Sequence, residues 1–94
     1  MAPYKPPNAH YAHLRVDFYD DDVIQAFMGV RGKNFYDLTR RLGMYYIWWN
    51  RGLKIIEVWG PYPSFKNNNP IDVLHAELEV CNKNMSEYSI RTLV

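Results

Sequence analysis

The residues of this chain best suited to chemistry are Gly29-Val30-Arg31-Gly32-Lys33. Glycine has no Cβ, so a backbone turning between two glycines can come close to a phosphate. The free N–H groups of a helix starting just after the turn would point at that phosphate. Arg31 between the glycines and Lys33 after them place positive charge at the same spot. A turn that only joins two helices needs glycine geometry but no cation between its glycines, so Arg31 is the residue that separates a binding turn from a purely structural one. Other chemistry is poorly provided for. His10, His13 and His75 lie on separate segments, and the single cysteine, Cys81, sits on an apolar stripe. No Ser/His/Asp, Cys/His or paired-carboxylate set has supporting context, and no Cys/His spacing suits zinc. Neither catalysis nor a metal or cofactor is expected.

The overall charge of +1 hides an uneven distribution. From Arg31 to Lys54 the basic residues Arg31, Lys33, Arg40, Arg41, Arg51 and Lys54 face a single acid, Asp37, a net +5; five bases against nine acids elsewhere leave −4. A positive region around the glycine turn is what phosphate binding requires. The acidic run Asp20-Asp21-Asp22 lies close to it in sequence and sets a limit, so binding by one copy should be weak and salt-sensitive.

Ninety-four residues, 48% of them hydrophobic, make one small domain with a single core. A lone cysteine excludes a disulfide within the chain. The longest apolar run, Met44 to Trp49, is too short to cross a membrane. The start, Met1 to Asn8, is proline-rich and polar, unlike a secretion signal. The expected setting is therefore intracellular, not secreted, and away from membranes.

The elements that must position the turn follow from apolar spacing. All six prolines fall within residues 1–12 or the segment Gly60 to Pro70, which read as an N-terminal arm and an internal loop. Leu14, Val16 and Phe18 alternate in a strand over His13 to Phe18. Asp20 to Asp22 offer an N-cap and an acidic first turn for a helix carrying Val23, Ile24, Phe27 and Met28. A second helix over Lys33 to Leu42 carries Phe35, Leu38 and Leu42, and Gly43 stops it. Strands over Met44 to Trp49 and Leu53 to Trp59 flank Asn50-Arg51-Gly52, with Gly52 available for positive φ. Asn69-Pro70 starts a third helix whose stripe is Ile71, Leu74, Leu78, Cys81 and Met85. Residues 86–94 form a tail with the residue types of a short extra strand. The expected fold is α+β, a three-stranded antiparallel sheet with three helices on one face, over residues 13–85.

Gly29-Val30-Arg31-Gly32, preceded by Phe27-Met28 and followed by Phe35, Leu38 and Leu42-Gly43, then by the strand from Met44, resembles the type I KH domain. The likeness spans roughly residues 13–84 and includes the order of elements. Bulky Phe35, Tyr46 and Trp48 depart from the family's aliphatic positions, and Leu42 replaces a common threonine. Tyr46-Ile47-Trp48-Trp49-Asn50 and Ile56-Glu57-Val58-Trp59-Gly60 also look like small KH-like proteins of large DNA viruses, which implies a host cytoplasm or virion as the setting. The resemblance implies single-stranded nucleic-acid binding, RNA preferred, with the Gly-x-x-Gly loop clamping the backbone of unpaired nucleotides. Gly29, Val30, Arg31, Gly32 and Lys33 would hold phosphates. Ile24, Met28, Phe35 and the residues of the strand around Tyr46 would line a groove for bases, and Arg40, Arg51 and Lys54 would contact its rim.

A second reading comes from the aromatic strands. Alternation directs Tyr46 and Trp48 toward the helices and leaves Tyr45, Ile47, Trp49, Ile55 and Trp59 on the opposite sheet face. A small chain has no second layer for such a face, so either the proline-rich arm and the tail fold over it or a protein partner or second copy covers it. In the latter case the domain is a structural or interaction module and the KH-like fold is its scaffold.

Overall fold

The computed structural model describes the backbone of residues 8–93 and the side chains of residues 8–66 and 68–85. Strands β1 (His10–Arg15), β2 (Tyr46–Asn50) and β3 (Ile55–Gly60) form one antiparallel sheet in the order β1-β3-β2. Helices α1 (Asp21–Met28) and α2 (Lys33–Arg41) lie between β1 and β2, joined through a 3₁₀ turn at Val30–Gly32. Helices α3 (Tyr62–Asn67) and α4 (Pro70–Leu93) follow the sheet. Among the described residues the fold is α+β, with four α-helices where three were expected.

Pairing sets the two faces of the sheet. Leu14 faces Ile56, Ala12 and Ile47 flank Val58, and Trp49 faces Ile56. With Ile47, Trp49, Ile56 and Val58 buried, this side joins Ile24, Phe27, Phe35, Leu38, Leu74 and Leu78 in the core. Residues directly opposite on neighbouring strands share a face, so the other face carries Tyr11, Trp59 and Tyr46 in one row and His13, Glu57 and Trp48 in the next. The expected assignment of β2 is therefore reversed. Ile47 and Trp49 are core residues, and Tyr46 and Trp48 project from the outer face.

Several local expectations are also corrected. The first strand runs from His10, which takes residues 10–12 out of the expected arm and places His10 and His13 on one strand. It ends at Arg15, where the carbonyl of Val16 accepts the N–H of Tyr19 at 3.1 Å and closes a turn. Val16 remains buried, but Phe18, on that turn, is 73% exposed. The β2–β3 connection takes its positive φ at Lys54 (55°), not at Gly52, and the Leu53 N–H donates to Asn50 Oδ1 at 3.2 Å. The proline segment is not all loop. Pro61 caps α3 and Pro63 occupies its first turn, where a missing N–H costs nothing. Residues 86–93 continue α4 as helix, so the tail forms no strand.

Other signals correspond closely. Gly43 (φ 68°) ends α2 in a Schellman arrangement, with Met44 N–H donating to Thr39 O at 2.8 Å and Gly43 N–H to Arg40 O at 3.3 Å. Asn69 caps α4 through Oδ1, which accepts the Ile71 N–H at 3.0 Å. On α4, Leu74 and Leu78 are fully buried, and Ile71, Cys81 and Met85 pack beside them.

Candidate functional site

The turn between α1 and α2 is built around three positive-φ positions within four residues. Gly29 has φ 81° and ψ 168°, Arg31 has φ 56° and ψ 27°, and Gly32 has φ 75° and ψ 17°. The two glycines are not equivalent. A Cβ on Gly29 would lie 2.9 Å from the Asn34 backbone nitrogen, a clash with main chain, whereas one on Gly32 would meet only Tyr36 Cε2 at 3.7 Å. Gly29 is needed for close packing between the helices, and Gly32 for its left-handed φ, with open space beside it. Gly32 N–H donates to Gly29 O at 3.1 Å, and Asn34 Nδ2 donates to Phe27 O at 2.7 Å, tying the end of α1 to the start of α2.

Arg31 is the unexpected member. A residue with a Cβ in the left-handed region costs roughly 1–2 kcal/mol relative to the right-handed one, and glycine or asparagine would serve the turn better. Arg31 and Lys33 are exposed and have no ion-pair partner among the described residues. Val30, at the tip, is 82% exposed.

This turn closes one end of a groove of about 430 Å³. Gln25, Met28 and the glycines form one wall, Phe35, Tyr36 and Thr39 of α2 another, and residues 45–49 the third. Because β2 is an edge strand, its outer backbone edge borders this groove. The lining is largely apolar and aromatic, and burial, with Tyr36 close by, pushes the Tyr46 phenol above its ordinary pKa.

Of the residues expected at the site, Gly29, Arg31, Gly32, Met28, Phe35 and Tyr46 line the groove. Ile24 does not. It is 1% exposed in the core, because its place on α1 faces the sheet. Of the expected rim cations, Arg40 pairs with Asp37 on the exposed face of α2 at 2.8 Å. Arg51 and Lys54 both reach Asp21, at 3.2 and 3.4 Å, so part of the positive region is neutralised from the start of α1. Arg41 pairs with Glu77. Residues 45–49 line the groove as expected of the strand around Tyr46, whereas Gln25, Tyr36 and Thr39 are additions that the sequence reading lacks. For Tyr36 a signal existed, since a residue four after Gly32 lies on the same helix face as the turn.

The residues expected to form a partner face separate. Ile47 and Trp49 lie in the core, Tyr45 is 54% exposed beside the groove, and only Ile55 and Trp59 belong to the outer face. That face is bound together internally. Trp59 is 3% exposed between Tyr11 and Tyr46, with ring centroids 5.2 and 5.7 Å away. Glu57 accepts hydrogen bonds from the Tyr11 hydroxyl at 2.7 Å and from Asn50 Nδ2 at 3.2 Å.

A second cavity, about 480 Å³ between α1 and α4, is lined by Phe27, Val80, Cys81 and Met85 among others. Burial raises the Cys81 pKa, which disfavours a reactive thiolate. Among the described residues no group of three or more His, Cys, Asp or Glu could hold a metal ion, and no helix is long and apolar enough to cross a membrane. No family model, curated protein or solved structure matches this chain.

Proposed function

We propose that this protein is a KH-like module that binds single-stranded nucleic acid, RNA in preference to DNA, through the Gly29–Gly32 turn and the groove beside it. The observation that carries the reading is Arg31, a cation held at φ 56° on an exposed turn that opens onto an apolar, aromatic groove. Phosphates would lie against Gly29, Val30, Arg31, Gly32 and Lys33, and bases against Met28, Phe35 and Tyr46. The order of elements and the β1-β3-β2 sheet are compatible with the KH resemblance. Binding is read as non-covalent, with no catalytic role for the chain and with an intracellular or virion setting.

A protein-interaction module is the rival. It loses support because three of its five central residues, Ile47, Trp49 and Trp59, are buried. The deciding experiment is a titration of labelled oligo-U, oligo-A, oligo-C and matching DNA at two salt concentrations. Wild type should bind RNA in a salt-dependent way, and Gly32→Asp combined with Arg31→Ala should abolish binding while circular dichroism stays unchanged. Absence of binding across a randomised RNA pool sinks the proposal.

A further inference from the structure

The proposed binding mode places bases against Tyr46 but assigns nothing to Tyr36, the other tyrosine beside the turn. Tyr36 stands one turn into α2 and is 69% exposed, yet it lines the groove and its Cε2 lies over Gly32. Its phenol is near enough to contribute, after burial, to the raised pKa of Tyr46. Tyr46 is itself stacked on Trp59, with centroids 5.7 Å apart and planes 28° from parallel, and Trp59 is backed by Tyr11. Tyr36 and Tyr46 thus share one groove, and from Tyr46 packed rings continue to Trp59 and Tyr11 on the outer sheet face. A ring supported from behind loses little rotamer freedom when a planar ligand meets it, so stacking there is preorganised.

We infer that Tyr36 and Tyr46 form a stacking shelf for one unpaired nucleobase, preferably a purine, next to the phosphate held by the Gly29–Gly32 turn. The inference rests on the proposed single-strand binding and adds to it the class of nucleotide. Purines are favoured because stacking depends on shared π surface, and every base presents such a face while purines present more of it. Trp59 is a positioning residue, acting only through Tyr46. A tyrosine serving merely as a solvated helix residue would give no base dependence.

The test uses short oligo-U carrying one adenine, one 2-aminopurine or one abasic site at successive positions. At one position wild type should quench 2-aminopurine fluorescence and bind the adenine oligonucleotide more tightly than the abasic one. Tyr36→Ala should weaken adenine binding by about 5- to 100-fold, the range expected for one base stack, and leave abasic binding unchanged. Tyr36→Phe, which keeps the ring, should retain most of the preference. Equal wild-type affinity for adenine and abasic oligonucleotides, or a Tyr36→Ala protein that keeps the preference, overturns the shelf. In either case, loss of binding in Gly32→Asp would leave the single-strand reading standing. If wild type binds none of these oligonucleotides, both readings fall.

Discussion

Asp21 at the start of α1 accepts a hydrogen bond from Arg51 Nη2 at 3.2 Å, joining the first helix turn to the β2–β3 connection thirty residues later. Lys54 Nζ reaches the same carboxylate at 3.4 Å. The acidic run and the basic region, read from sequence as opponents, are thus partly paired with each other. One carboxylate holds two of the cations that would otherwise extend the positive surface away from the turn.

Removing that carboxylate should release both cations. Asp21→Asn is expected to tighten oligonucleotide binding about two- to tenfold at low salt and to steepen its salt dependence. The three side chains are all more than a third exposed, so the stability change should stay within about 1 kcal/mol. Fluorescence anisotropy at several salt concentrations and urea unfolding measure the two effects. An unchanged salt slope would show that Arg51 and Lys54 lie off the binding path.

The two glycines of the turn should respond differently to the same substitution. Gly29→Ala puts a methyl 2.9 Å from the Asn34 nitrogen and adds φ strain, so a loss of about 3 kcal/mol or more is expected. Gly32→Ala meets only Tyr36 at 3.7 Å and should lose about 1–2 kcal/mol, the φ term alone. Denaturant midpoints measured side by side give the comparison. Equal losses would mean that close packing at Gly29 is not what requires glycine there.

Much of the fold was legible in the sequence, for identifiable reasons. The caps at Asn69 and Gly43, the stripe of α4 and the turn glycines are local signals, read by residue type and spacing over one or two helical turns. The face of β2 was not legible. Tyr45, Tyr46, Ile47, Trp48 and Trp49 are all apolar or aromatic, so no alternation selects a side, and an error of one residue reverses every side chain. Helix α3 was hidden by its own prolines, which are compatible with a first helical turn but usually mark loops. The pairing of Asp21 with Arg51 and Lys54 is tertiary and leaves no trace in local charge counts. The groove was half visible, since its turn is a motif while its lining depends on how α2 meets an edge strand.

Two tyrosines should make stability depend on alkaline pH. The Tyr11 and Tyr19 phenols donate to Glu57 and Glu79, and burial, then these carboxylates, raise both pKa values to about 12 from the ordinary 10. A raised acid keeps its proton longer when folded. Its contribution is therefore complete below pH 10 and is lost as pH rises from there to about 12, when a second negative charge forms beside each carboxylate. Tyr19 is 7% exposed and should dominate, while Tyr11, 40% exposed, is screened by water. Tyrosinate absorbance should show late-titrating phenols, Tyr11 and Tyr19 among them, coincident with unfolding. In Tyr19→Phe the decline above pH 10 should be shallower; an identical decline would remove Tyr19 as its cause.

Neighbouring tryptophans on β2 test which side of that strand is core. Trp49 is 8% exposed and faces Ile56 across the strand pair, so Trp49→Ala should cost about 3–5 kcal/mol through lost burial and the cavity left behind. Trp48 is half-buried on the outer face opposite Glu57, and Trp48→Ala should cost roughly 1–2 kcal/mol. Trp49→Phe should be far milder than Trp49→Ala, because the ring still fills most of the site and the buried Nε1 it removes has no hydrogen-bond partner among the described residues. The binding assay should give the opposite ranking. Trp48 lines the groove from the exposed side of an edge strand, so its loss should weaken oligonucleotide binding more than its small stability cost implies. If Trp48→Ala instead proves the more destabilising substitution, β2 is shifted by one residue and the groove's lining changes with it.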